Sequence, residues 1–236
     1  AIGGDGGVLN EVDGTRIFTS LGLKGPRQLF LPLPEIKAQP ASASVSKAGL
    51  VYPLVAKLVS PDLPHKSDYG AVVLSIETGD GLDAAVAQMR NAVNSHLPAA
   101  SIEGLLLQEM AFGLGEALVG LRHDNLVGPI ITVGAGGIFA EIYKDVSIRP
   151  APVSLATARK MIDEVKGFAA LRGYRGKAKG DLEALANLVA NLSQLANLRR
   201  IAEAEINPVL VQADGVLMLD ALIRIQPQPM LDSAAL

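Results

Sequence analysis

The chain has 236 residues, of which 49% are hydrophobic and 19% charged, with a net charge of -3 and a pI near 5.7. That balance describes a globular protein with a sizeable core and disfavours disorder and coiled coil. No run of Lys or Arg exceeds two residues, so there is no electrostatic footprint for nucleic acid. Cysteine is absent, which removes disulfides and thiolate chemistry, and His65, His96 and His123 are too scattered for a zinc motif. No apolar run reaches the roughly 18 residues of a membrane span and no signal-peptide pattern opens the chain, so the expectation is a cytoplasmic protein with no membrane partner.

Residues 1–8, opening Ala1-Ile2-Gly3-Gly4-Asp5-Gly6-Gly7, read as a linker. With no initial methionine, they suggest a segment of a longer polypeptide. Leu9 to Leu21 predicts a helix with Leu9, Val12, Ile17 and Leu21 apolar, ended by Gly22. Lys24 to Gly49 predicts a strand and a short helix. Leu54 to Val59 and Ala71 to Leu74 predict strands around a polar connector. From Gly81 the apolar positions Leu82, Val86, Met89, Val93 and Leu97 recur with helical spacing. Strands are expected at Ile102 to Met110, Glu116 to Leu121 and Pro129 to Val133. Two helices follow, with Ser154 and Asp181 as N-caps. Ala204 to Val211 and Val216 to Leu219 bracket Ala213-Asp214-Gly215, a hairpin signal, and residues 226–236 read as a tail. Helices interspersed among strands make the fold α/β or α+β in two lobes.

The stretch from Tyr52 to Leu74 carries the chemistry. Lys57 sits inside an apolar run and must find an anionic partner or lose its charge. The connector holds His65, Lys66, Ser67, Asp68 and Gly70. A neutral imidazole can accept a phosphoryl group at nitrogen, and neighbouring cations stabilise the developing charge. The opposing reading is a solvated loop histidine.

The terminal hairpin supplies a second constellation. A two-residue Asp214-Gly215 turn would place Asn207 opposite Leu222, with Asp220 diagonally adjacent and Glu205 on the same face. Hard oxygen ligands on a rigid ribbon suit Mg²⁺ supplemented by water and phosphate; a polar solvent face is the competing reading. The glycines at Gly113/Gly115 and Gly134/Gly136/Gly137 match neither the P-loop nor the Rossmann spacing, leaving turns or close backbone approach.

Taken together, Tyr52-Pro53 through Val72 with His65-Lys66-Ser67-Asp68, Gln108-Glu109-Met110, Glu116 to Asp124, Gly128 to Ile138, Lys144 to Ser147, Leu171 to Gly176 and Glu205-Ile206-Asn207-Pro208 resemble the ATP-grasp domain of NDP-forming acyl-CoA synthetases. The resemblance covers about residues 9 to 225. It implies an ATP-grasp fold, with a smaller lobe over about 25–105 and a larger lobe over about 106–225, clamping a nucleotide. It implies Lys57 and Gly70 at the ATP phosphates, Gln108, Glu109 and Met110 around adenine, Glu116 in the nucleotide pocket, Asn207 and Asp220 on Mg²⁺, and His65 as a phosphohistidine relay. It also implies ATP or ADP as substrate and CoA- and acyl-binding domains as partners, on a separate subunit or the same polypeptide, in an oligomer. Two positions depart from the family: Ala71 replaces a glycine, which should stiffen the phosphate loop, and Leu222 stands where an arginine is common. An ATP-grasp carboxylate–amine ligase and a non-catalytic nucleotide-binding module are the alternatives.

Overall fold

The computed structural model describes residues 6–63, 66–136 and 144–227. Its strands, in chain order, are β1 (Gly7–Val8), β2 (Gln28–Pro32), β3 (Leu54–Val59), β4 (Val72–Ile76), β5 (Gly104–Glu109), β6 (Gly115–Asp124), β7 (Gly128–Ala135), β8 (Val146–Pro150), β9 (Ile201–Val211), β10 (Val216–Met218) and β11 (Ala221–Ile225). Its helices are α1 (Glu11–Ser20), α2 (Leu33–Ala38), α3 (Ser42–Ala48), α4 (Gly79–His96), α5 (Leu155–Glu164) and α6 (Leu182–Ser193). They fall into two compact units: Asn10–Arg16 with Gly25–Phe112, and Ala1–Leu9, Ile17–Lys24 with Gly113–Leu236.

The smaller unit is a four-stranded antiparallel sheet in the order β2-β5-β3-β4. Strand alternation divides β3 between two faces. Leu54, Ala56 and Leu58 enter a core with Leu105 and Leu107 of β5 and with Leu82, Val86, Met89 and Val93 of α4. Those α4 residues are the helical stripe expected from sequence, and the helix is started by Thr78, whose hydroxyl accepts from Gly81 N at 3.1 Å. On the other face Val59 packs with Leu106 and with Val12 of α1. Both faces of β3 are therefore covered, and all six of its residues are buried. Between β2 and β3 the chain forms two short helices where one was expected.

The larger unit is a seven-stranded sheet whose path runs β1-β11-β9-β6-β7-β8, with β10 also paired to β9. Ala117, Val119 and Leu121 of β6, Ile131 and Val133 of β7 and Ala204 and Ile206 of β9 form its core with α5 and α6. Ser154 and Asp181 cap these helices as the sequence predicts: Ser154 Oγ accepts from Thr157 N at 3.2 Å and Asp181 Oδ1 from Ala184 N at 2.8 Å. The alternating residues Glu116, Leu118 and Gly120 of β6, and Glu205 and Asn207 of β9, point to the face away from those helices. Sequence reading missed β8. Its outward residues Val146 and Ile148 are 40% and 45% exposed while Ser147 faces inward at 4%, an inverted polarity that does not read as a core strand.

Candidate functional site

In the smaller unit, Lys57 lies on the face of β3 that meets α1. Its ammonium is 2.6 Å from Glu11 Oε1, and the second oxygen of the same carboxylate lies 3.1 Å from Lys66 Nζ. The Glu11 side chain is only 1% exposed. The anionic partner demanded by a buried lysine is thus a residue of the chain itself. Glu11 is the first residue of α1, held there by local structure. Asn10 Oδ1 accepts from Asp13 N at 2.9 Å, Asn10 Nδ2 donates to Glu103 at 2.8 Å, and Val12 packs against β3 and β5.

Lys66 opens a single 3-10 turn, Lys66–Tyr69, closed by Ala71 N donating to Lys66 O at 2.9 Å. Gly70 has φ +63°, a left-handed conformation that suits glycine. The Ala71 methyl is fully buried in the core of this unit, which explains how an alanine is accommodated where a glycine was expected. His65, the expected relay, lies outside the described residues. Leu63 before it is buried at 1%.

The expected adenine segment ends β5. Gln108 is buried and its amide donates to Gln28 Oε1 at 2.9 Å. Glu109 accepts from Val51 N at 2.9 Å and lies 3.4 Å from Arg27. Met110 N donates to Pro53 O at 3.0 Å. The two polar side chains are thus engaged within the unit.

In the larger unit, the hairpin register differs by two residues from the expected one. Val216 pairs with Val211 and Leu222 with Glu205, so the turn is centred one residue earlier than Asp214-Gly215. Because the shift is even, every side chain keeps its face. The consequence is a closer approach than predicted: Asn207 N donates to Asp220 O at 3.3 Å, which sets the two residues opposite each other. Asp220 Oδ1 accepts from Ala221 N at 2.8 Å, and Asn207 Nδ2 donates to Glu205 Oε1 at 3.3 Å, so the amide oxygen is the Asn207 atom that could meet a cation. Among the described residues no group of three or more His, Cys, Asp or Glu side chains could hold a metal ion, but an Asn–Asp oxygen pair fits Mg²⁺, which takes few protein ligands. Glu116 is exposed on β6, on the face that carries Glu205 and Asn207. Gly136 closes on it: its N donates to Glu116 O at 2.7 Å, and a Cβ there would sit 2.9 Å from the Glu116 backbone. This glycine therefore serves close backbone approach within the unit. Gly137 lies outside the described residues.

A family model described as an ATP-grasp domain matches residues 1–225. The chain belongs to the ATP-grasp family. It is 41% identical over 170 residues to ADP-forming acetate–CoA ligase I of Archaeoglobus fulgidus, covering 72% of this chain and 25% of that protein. It is 36% identical over 194 residues to the beta subunit of ADP-forming acetate–CoA ligase I of Pyrococcus furiosus, covering 81% of this chain and 84% of that subunit. The chain thus spans a quarter of the first relative and most of the second. Among solved structures it is similar to the dinucleotide-forming acetyl-coenzyme A synthetase 1 of Ca. Korarchaeum cryptofilum, solved with coenzyme A and Ca-AMPCP, at TM-score 0.85 and 32% identity over 93% of this chain and 94% of that one. The same protein has been solved with Mg-AMPPCP and its phosphohistidine segment pointing towards the nucleotide binding site, at TM-score 0.75 and 29% identity over 93% of each chain.

Sequence reasoning missed Glu11. The signal was available: a buried Lys57 requires a carboxylate, and Asn10-Glu11-Val12-Asp13 carries a capping residue followed by an acidic first turn.

Proposed function

We propose that the chain is the nucleotide-handling portion of an ADP-forming acyl-CoA synthetase, which interconverts acid, CoA and ATP with acyl-CoA, ADP and phosphate. The observation that carries the reading is the Asn207–Asp220 apposition on the face of the large sheet turned away from α5 and α6, in a chain of the ATP-grasp family. The likeness to ADP-forming acetate–CoA ligases supports the reaction class.

In this reading a neutral ring nitrogen of His65 attacks the γ-phosphorus of ATP. The N–P bond forms, the bond from phosphorus to the bridging oxygen breaks, and ADP leaves with the electron pair. In reverse, a β-phosphate oxygen of ADP takes the phosphoryl group from His65. Lys57 and Gly70 meet the phosphates, Gln108, Glu109 and Met110 border adenine, and Glu116 lies in the nucleotide pocket. Asn207 and Asp220 would hold Mg²⁺, which when bound would neutralise phosphate charge. The phosphohistidine segment of the Korarchaeum protein supports the relay assigned to His65. Coenzyme A and the acyl group are handled by further domains, on the same polypeptide or a separate subunit. No helix among the described residues is long and apolar enough to cross a membrane, in keeping with catalysis in the cytoplasm.

The test is His65→Ala in the enzyme assembled with its CoA-binding part. ADP phosphorylation should be abolished while calorimetry still detects Mg·ATP binding. Turnover at the wild-type rate would exclude the relay.

A further inference from the structure

We infer that Glu11 is a positioning residue for phosphoryl transfer, its single buried carboxylate fixing Lys57 of β3 and Lys66 beside the relay histidine at the same time. This rests on the reading of His65 and Lys57 proposed above.

The geometry is specific. One oxygen of Glu11 is 2.6 Å from Lys57 Nζ and the other 3.1 Å from Lys66 Nζ, with side-chain exposures of 1%, 8% and 13% for the three residues. Burying charged groups costs desolvation that apolar residues of the same volume would avoid, so such a cluster is weak evidence for a purely stabilising role. The carboxylate sits on a prepared support. Asn10 caps the helix and ties it to Glu103, while Val12 packs with Val59 and Leu106. Two functional segments are referred to this one point. Lys57 is held within β3, paired to Leu106 of β5 and Val72 of β4. Lys66 is held by its side chain through Glu11 and by its backbone through the turn that ends at the buried Ala71. Lys66 directly follows His65 in the sequence, so Glu11 anchors the residue next to the proposed relay.

An in-line transfer is sensitive to such placement, and a displacement of about 1 Å can cost on the order of a hundredfold in rate. Glu11→Gln keeps the volume but offers one acceptor oxygen, and its NH₂ group faces an ammonium. It can therefore hold only one of the two lysines.

The experiment uses the assembled enzyme and measures labelling of His65 from both sides: from γ-phosphate-labelled ATP, and from acyl-CoA with labelled phosphate. Glu11→Gln should slow labelling from ATP by about tenfold or more and labelling from the acyl side by less than about threefold, a split that general loss of structure would not produce. Glu11→Asp, which keeps the charge, should recover most of the ATP-side rate. Should Glu11→Gln fail to fold, Lys66→Gln carries the same test at the more exposed end of the cluster. Equal losses from both sides, or none from either, overturn the inference while leaving the relay standing. Absence of any His65-dependent label in the wild-type enzyme overturns the relay and this inference with it.

Discussion

Asn207 and Asp220 face each other across the β9–β11 hairpin, with the Asn207 amide donating to the Asp220 carbonyl at 3.3 Å. The backbone ladder sets the two residues opposite each other, and the proposed metal role of their side-chain oxygens is open to test. Asp220→Asn should keep the Ala221 hydrogen bond and the fold, with a change in unfolding free energy below about 1 kcal/mol, typical of a substitution outside the core. Mg²⁺-dependent ATP affinity should fall by about tenfold or more, the effect of removing one charged ligand from a few-ligand site. Titration calorimetry with and without Mg²⁺ reads both, and an unchanged Mg²⁺ dependence would remove Asp220 from the metal site.

Lys57 and Glu11 predict a stability effect separable from catalysis. Lys57→Met leaves a buried carboxylate with one strong donor fewer, and breaking a buried ion pair in this way costs about 3 kcal/mol or more. Chemical denaturation of the variant should show this loss. A change below 0.5 kcal/mol, on the order of a surface substitution, would mean that the pair contributes nothing to the fold.

Ala71 is expected to stiffen the loop; its methyl group is fully buried in the small core and its N–H closes the turn begun by Lys66. Ala71→Gly removes that methyl and frees the unfolded backbone, lowering stability by about 1 kcal/mol or somewhat more. Hydrogen exchange at Ser67 to Gly70 should accelerate more than exchange in α4. Uniform acceleration would indicate that Ala71 does not anchor the turn.

Acid should weaken the larger unit through specific carboxyls. A hydrogen bond from Ser147 Oγ at 2.6 Å, reinforced by the Arg149 guanidinium, holds the Glu164 carboxyl below the ordinary glutamate range. Arg159 does the same for Glu183, and the backbone N–H groups of Leu126 and Val127 for Asp124. A group with a depressed folded pKa contributes stability that is complete above the unfolded value, about 4.3 for glutamate, and is lost as pH falls through the folded value. Stability should therefore decline below about pH 4, and Glu164→Gln should make that decline shallower. A slope identical to wild type would show that Glu164 does not contribute.

Much of this was legible in the residues. The stripe of α4, the caps Ser154 and Asp181 and the strand at Leu54 to Val59 follow from periodicity and capping chemistry that local sequence carries. What was lost depended on partners distant in sequence. The register of β9 was misplaced because the Gly215 signal does not say which residues form the turn, though an even shift left the faces intact. Strand β8 was missed because its buried side is polar, satisfied by Glu164 on α5. Glu11 was missed because its role exists only once a helix start is brought 46 residues along the chain to Lys57.

On the proposed reading His65 carries a phosphoryl group. The most direct measurement is treatment of the assembled enzyme with γ-phosphate-labelled Mg·ATP, followed by peptide mapping of acid-labile, alkali-stable label. Label is expected on the peptide containing His65, discharged by ADP and absent from His65→Ala. Label elsewhere, or acyl-CoA synthesis proceeding with no labelled protein, would contradict it.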